Sequence, residues 1–541
     1  MSPGAVAETA ADLAAMVARL EVEVARLATA LDAMTAERDR YRHLYEQLRE
    51  AYAKLEQGLR GQLAERLPAD DRQLTLGILE MLLGKDAASA PPAQPVRAHD
   101  RRPPSGRTPL PAHLPRVRIE LVPLDVQHEG LDQYERIGAE VSEVVERRPA
   151  STVVVELIRP KYVRKERDRR GPTRVLIAEP AELPIPRGRA GPGLLADTIV
   201  RRWQDHQPLH RLEGIYARDG LALNRSTLCG WHEQLAMLAR PVIDAMLADA
   251  LRQPVLCTDA TGVLVQARER CRTGHFWVLV APERHVLFRY SRRHDCAAVD
   301  ALLANYQGYL VADAHSVYEH LFVDGRVTEV ACWAHCRRYF FKTLGAEPER
   351  AREALALIGE LFRIERDLAA APRAHREAIR QEKSRPVVER FFTWCADHAG
   401  EALPETPLAA ALRYATNQRD ALSRFLTDGR LPLHNNRSEL ELRRQVVGRK
   451  NWLFVGSDDA ASVNTTFVSL LASCALHRVE PWAYLRDLFC VLPGWPQRRV
   501  LDLAPAYWAQ TGEQQDTQER LAANPFRLAL LALDRHPEAD P

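Results

Sequence analysis

Two aspartates lie in stretches that otherwise read as buried β-strand, and few folds can accommodate them. Asp259 interrupts the apolar run VLCTDATGVLVQAR, and Asp313 ends the short run GYLVADAH. A carboxylate inside an apolar strand is costly unless something pairs with it. The sequence around them alternates in a definite order. The strand of Asp259 is followed by the hairpin HFWVLVAPERHVLFRYS, turning at Pro282, Glu283 and Arg284. An amphipathic helix, CAAVDALLANY, precedes the strand that ends at Asp313. Then come a short helix, VYEHLF, a strand, VTEVACWAH, and a helix beginning CRRYFFKTL. Periodicity and turn residues carry these assignments.

Three strands in a meander, then helix, strand, helix, strand, helix, is the topology of a ribonuclease-H-like sheet. There the first and fourth strands lie side by side, so Asp259 and Asp313 are expected to face each other. Two like charges that close raise one pKa unless a cation lies between them. A hard divalent ion, magnesium or manganese, is the natural solution. A third carboxylate from a helix on the same sheet would complete two metal sites about 3.5–4 Å apart, an arrangement suited to phosphodiester chemistry.

The stretch LPLHNNRSELELRRQVVGRKNWLFVGS supplies that third group. It predicts a helix opening after Asn435 and Asn436, running through Glu439, Glu441, Arg443 and Arg444, and ending at Gly448. A basic turn, Arg449-Lys450, then feeds a strand from Asn451 to Val455. Glu439 is the candidate ligand, because Glu441 points about 200° around the helix. Asn436 with Glu439, and Ser438 with Glu441, also match capping boxes, so either pair could serve only to start the helix. Arg443, Arg449 and Lys450 are candidate phosphate contacts, as are Arg337 and Arg338. Asn435 and Asn436 could orient Glu439, touch DNA or cap the helix. Cys332 and Cys336 around His335 have no second pair nearby and make poor support for zinc.

The flanks divide into segments. Residues 1–85 carry a heptad whose seams run through Leu13, Leu20, Leu27, Met34, Tyr41, Leu48 and Leu55, and through Val17, Val24, Leu31, Arg38, Tyr45, Tyr52 and Leu59, which predicts a self-associating coiled coil. Residues 86–118 are a basic, proline-rich linker. Residues 119–188 read as a small β-rich module with strands at Arg118 to Val122, Thr152 to Leu157 and Arg174 to Ala178, and a basic loop starting at Lys161. Residues 189–250 outline a helix-turn-helix whose last helix carries Arg225, Thr227, His232 and Gln234 toward DNA. The catalytic core occupies 251–345 and 429–480, interrupted by a helical insertion at 346–428, and a helical tail covers 481–541. The expected class is therefore α/β, with 46% hydrophobic residues to fill its cores. A net charge of +2, from 74 basic and 72 acidic residues, excludes a uniformly basic coat but not local basic stripes. Nine scattered cysteines fit a reducing cytosol, and no apolar run suggests a membrane span.

These motifs resemble the DDE transposases of the insertion-sequence-sixty-six family over most of the chain, from the heptad to about residue 495. The matching stretches are RTPLPAHLPR at Arg107, PGLLADTIVRRWQDHQPLHRLE at Pro192, TDATGVLVQ around Asp259, GYLVADAHSVY around Asp313, CWAHCRRYF at Cys332 and NNRSELELRRQVVGRKNWLFVGS at Asn435. The resemblance implies a bacterial cytoplasmic, nucleoid-associated enzyme with Asp259, Asp313 and Glu439 as its acidic triad. It implies double-stranded DNA as substrate, both element ends and target, a homo-oligomer, and accessory proteins encoded by the same element. Two Mg2+ or Mn2+ ions are its implied cofactors. The family's usual Asp-Glu-Thr is Asp259-Ala260-Thr261 here, and its Asp before the paired asparagines is His434. Val163 and Glu166 stand where many members carry zinc-binding cysteines, so the β-rich module is expected to fold without zinc. A nuclease that hydrolyses without joining, and an inactive DNA-binding protein descended from a transposase, are the rival readings.

Overall fold

The computed structural model describes residues 110–529, apart from 113, 149–150 and 166–173, together with scattered positions between 16 and 38. Most of the heptad region, the linker up to residue 109 and residues 530–541 lie outside the described residues. Within the heptad, Val24, Leu27, Leu31 and Met34 are helical and 60–69% exposed. The chain forms mixed α/β structure with two sheets. Two compact units are distinct: Trp333–Gly429, and Pro104–Cys332 with Arg430–Pro541.

In the second unit the first sheet has β1 (Arg116–Glu120), β2 (Tyr134–Arg148), β3 (Ser151–Arg164) and β4 (Leu176–Ile177), with β3 between β1 and β2. β1 runs parallel to β3, whereas β2 and β3 are antiparallel. Sequence patterning missed β2, because its surface positions alternate charges that mask the strand period. Those charges pair across the sheet: Glu140 meets Arg159 at 2.7 Å and Lys161 at 2.9 Å. Lys161 to Arg164, read as the start of a basic loop, instead extend β3 against Gly138 and Tyr134.

Glu146 of β2 docks the helix α1 (Pro192–Ile199) onto this sheet. Its fully buried carboxylate accepts the Leu194 amide at 2.7 Å and that of Arg147 at 2.8 Å. Gly191 and Gly193 leave the room it occupies; a Cβ on either would collide with the carboxylate. Burial raises its pKa to about 7, against the opposing pull of those amides and of Arg486. The folded protein thus holds a proton that the unfolded chain releases near pH 4.5. Stability is complete below about pH 4.5 and falls as pH rises through about 7, by about 3 kcal/mol. Urea unfolding at pH 5 and pH 8 checks this, and Glu146→Gln should flatten the dependence.

Two helices follow, α2 (Leu209–Arg218) and the long α3 (Arg225–Ala250). His232, on the last helix of the helix-turn-helix outline, is a core residue: it is 2% exposed and hydrogen-bonds Thr198 Oγ1 at 3.1 Å. Burial, helped by the Arg202 charge, depresses its pKa to about 3, so it packs as a neutral ring.

The second sheet contains β5 (Val255–Val265), β6 (Arg272–Ala281), β7 (His285–Ser291), β8 (Gly308–Ala312) and β9 (Val327–Ala331), in the order β7-β6-β5-β8-β9. The first three are antiparallel neighbours, and β5, β8 and β9 run parallel. α4 (Cys296–Leu302) links β7 to β8 and is capped by the Asp295 carboxylate, which accepts the Ala298 amide at 3.1 Å.

After the other unit the chain returns as α5 (Asn436–Trp452), α6 (Asp458–His477) and α7 (Pro481–Val491). α5 runs past Gly448, where the sequence predicted its end. Gly448 is there for close approach: a Cβ would lie 2.8 Å from Trp452 Nε1 and 3.3 Å from His206 Nδ1. The strand expected over Asn451 to Val455 reduces to one bridge between Val455 and Val265. α6 is apolar and long enough to cross a membrane, yet it is mostly buried and covers β7. There the Ser469 and Ser473 hydroxyls accept the Phe288 and Val286 amides at 2.7 and 3.0 Å, satisfying the outer edge of the sheet. Replacing both serines by alanine strands two buried donors, and the unfolding free energy from urea titration should fall by about 1–3 kcal/mol for each.

The unit Trp333–Gly429 is helical and packs its own aromatic core. The Trp333 ring lies 5.1 Å from that of Phe391, and its indole donates to the Leu422 carbonyl at 2.8 Å.

Candidate active site

Parallel pairing of β5 and β8 sets Val255 opposite Tyr309, Leu256 opposite Leu310 and Cys257 opposite Val311. Continued by two residues, this register puts Asp259 opposite Asp313, just past the end of β8. Alternation along a strand then sends both carboxylates to the same face. Both residues are half-buried. The buried Tyr318 phenol feels the two of them together: burial and the charges of Asp313 and Asp259 push its pKa upward.

Glu439 occupies the first turn of α5, and that turn is bolted to the same part of the sheet. Asn435, fully buried, donates its side-chain amide to the Thr258 carbonyl at 2.8 Å, next to Asp259. Its backbone N–H reaches Cys332 Sγ, just past β9, at 3.1 Å, and its carbonyl accepts the Glu439 amide at 3.3 Å. His434 accepts the Asn436 amide through Nδ1 at 3.4 Å.

Among the described residues no three His, Cys, Asp or Glu side chains are grouped closely enough to hold a metal ion. The strands supply a pair of carboxylates, and Glu439 stands on the helix beside them without closing a three-ligand group. The donor chemistry is nevertheless hard and anionic, as a hydrated divalent cation requires. Two buried oxygens near the helix start, Asn435 Oδ1 and Ser438 Oγ, have no hydrogen-bond partner. Ordered waters are the usual partners of such atoms, so the surroundings fit a hydrated ion.

The candidate DNA contacts sort into exposed and committed groups. Asn436, Arg443 and Lys450 are exposed on α5. Asn435 is not a surface group, since its amide holds the helix to the sheet. Arg449 folds back, its Nη1 donating to Thr261 Oγ1 at 3.0 Å and to the Gly262 carbonyl, which ties α5 along β5. Burial lowers the Arg449 pKa without neutralising so strong a base. Arg225 starts α3 but pairs with Glu213 at 2.9 Å. Arg337 and Arg338 are exposed on the helix Trp333–Lys342, in the other unit.

Sequence reasoning missed a row of imidazoles beside Asp313. His294 stacks on the buried Trp277 with ring centroids 4.7 Å apart, and the His275 and His315 rings lie 5.1 and 4.6 Å from it. Burial, then the neighbouring His315 and His275, depress the His294 pKa, while Asp313 and Asp295 oppose the shift. The three histidines come from β6, the segment after β7 and the segment after β8, so no local motif could reveal them.

Comparison with known proteins identifies the family of the chain. The family described as "Transposase IS66 family" matches residues 187–463, and "IS66 C-terminal element" matches 469–506. A third, "Transposase C of IS166 homeodomain", matches 47–119. Among individual relatives, the uncharacterized protein y4hP of Sinorhizobium fredii is 28% identical over 490 residues, covering 84% of this chain and 87% of its own. The uncharacterized protein y4qI of the same organism is 29% identical over 460 residues, covering 81% and 84%.

Proposed function

Because the chain belongs to the IS66 transposase family, we propose that it is a DNA transposase that cuts a strand at an element end and joins the freed 3′ hydroxyl to target DNA. The observation that carries this reading is the register of the parallel strands β5 and β8, which continued by two residues sets Asp259 opposite Asp313, with the first turn of the Glu439 helix tied to Thr258. In this reading the second sheet and its helices are a ribonuclease-H-like core, with residues 346–428 inserted in it.

Asp259, Asp313 and Glu439 would hold two Mg2+ or Mn2+ ions. When bound, such ions lower the pKa of an attacking water or hydroxyl and offset charge on the phosphate. The protein's own part is placement. Asn435 fixes the height of α5 against β5, and Arg449 fixes its direction. Asn436, Arg443 and Lys450 follow the DNA backbone, where cations position the duplex without reading its sequence. Arg225 belongs to a helix-turn-helix that meets the ends, and Arg337 and Arg338 add further phosphate contacts from their own helix.

The exposed seam residues Val24, Leu27, Leu31 and Met34 favour pairing between copies, which brings two element ends together. The β-rich module holds together without zinc: Val163, at a position where a ligand cysteine would be expected, is 3% exposed. Work in the bacterial cytoplasm, at the nucleoid, with accessory proteins from the same element, completes the proposal.

The test is a strand-transfer assay. The purified chain and Mg2+ are incubated with labelled DNA carrying the inverted repeats that flank the gene, plus an unlabelled target. Joined products are the expected result. Cleavage without joining would favour a nuclease, and binding with neither would favour an inactive DNA-binding descendant.

A further inference from the structure

The end of α5 carries a feature that the active-site reading does not use. Leu453 adopts φ 66° and ψ −52°, a conformation that branched L-residues avoid. The Phe454 amide donates to the Trp452 carbonyl at 2.8 Å, closing a three-residue turn with Leu453 at its apex. Strain of this kind persists only where the surroundings over-determine it. Here they do. The Leu453 amide donates to the Arg449 carbonyl at 2.8 Å, and the Val455 amide to that of Leu264 at 2.9 Å. Val455 is buried among Val263, Val265, Phe276 and Ala461, and Trp452 packs on the same cluster.

Yet the two residues held so firmly between these anchors face outward. Leu453 is 65% exposed and Phe454 is 42% exposed. Burial elsewhere in the chain therefore does not explain the strained backbone. Lys450, three residues before Leu453, and Arg443, a further two turns back, are exposed on the same helix and make no ion pair among the described residues, while the exposed Asp459 follows at the start of α6.

We propose that Leu453 and Phe454 form a rigid apolar wedge that enters the base stack of DNA lying along α5. This rests on the transposase reading above. Apolar side chains that part base steps are a known way to kink or open a duplex, and flanking cations hold the backbones on either side. A preformed turn suits the task, because its apolar groups need no further ordering on binding. Glu439 and Leu453 are fourteen residues apart on the helix, or about 20 Å at 1.5 Å per residue. At 3.4 Å per step the opened base pair lies about six pairs from the phosphate being cut. Two exposed apolar side chains on a helix that also presents the unpaired Lys450 and Arg443 suit a polyanion better than a second copy of the chain.

The experiment uses the full chain and the labelled end DNA of the strand-transfer assay, with 2-aminopurine placed singly at successive positions. Wild-type protein should raise its fluorescence several-fold about six pairs from the cut. The double variant Leu453→Gly, Phe454→Ser should lose that rise. It should also bind fully paired DNA about tenfold more weakly, but bind DNA with a preformed mismatch at that position almost as well as wild type. Leu453→Gly alone should not lower the unfolding midpoint, since glycine relieves the turn. A rise that persists in the double variant, or equal weakening on paired and mismatched DNA, overturns the wedge. So does a change in subunit number by light scattering with the rise intact, which would make the patch a contact between copies. Cutting by wild type with no rise at any position removes the wedge alone, whereas failure to bind or cut this DNA removes the transposase reading with it.

Discussion

Asp259→Asn should lower strand cleavage by about a thousandfold or more while leaving duplex binding intact. The substitution keeps shape and keeps the oxygen that accepts the Ala260 amide at 2.7 Å, so the strand has no reason to distort. What disappears is one negative charge at the point where two carboxylates share a sheet face. Relief of that repulsion should hold stability level or raise it slightly. Asp313→Asn should behave alike, and the double variant should lose little more than either alone, because the groups act as one unit. Cleavage and strand transfer are read on labelled end DNA, and binding is read by gel shift without metal. Wild-type rates in Asp259→Asn would remove the acidic pair from the chemistry.

Arg380→Ala destabilises the helical unit by about 3–5 kcal/mol, the largest stability effect expected from one side chain here. Arg380 is 1% exposed. Its Nε and Nη2 grip both oxygens of Glu365 at 2.7 Å, and Nη1 donates to the Phe425 and Asp428 carbonyls at 2.8 and 3.0 Å. The guanidinium also lies 5.2 Å from the centre of the Phe425 ring. Truncation would leave a largely buried carboxylate, 16% exposed, and the Phe425 and Asp428 carbonyls without their donor, a far greater loss than that of an exposed ion pair. The double variant Arg380→Met, Glu365→Leu should recover much of the stability, since no buried charge remains. Hydrogen exchange over Trp333–Gly429 reads both variants. A loss below about 1 kcal/mol in Arg380→Ala would mean the unit relaxes to hydrate the site.

Residue type and local period settled a good deal of this protein. The apolar runs around Asp259 and Asp313, the hairpin turn at Glu283 and the helix start at Asn436 all obey short-range rules, so they could be read directly. The carboxylates could be singled out because a charge in an apolar strand violates those same rules. Tertiary contacts decided the rest. β2 escaped detection because its alternating charges, which pair across the hairpin with β3, mask the strand period. Gly448 looked like a helix end, but it makes room for Trp452 and His206. Asn435 and Arg449 looked like surface groups for DNA, and instead their donors go to Thr258, Thr261 and Gly262 on β5. His232 resembled a residue on a recognition helix until packing against Thr198 placed it in the core. The imidazoles beside Asp313, the buried grip of Arg380 and the exposed strain at Leu453 depend on residues far apart in sequence meeting in space. Local pattern reports what a segment prefers by itself; which partner satisfies each buried donor and charge is fixed only when the sheets and helices close on one another.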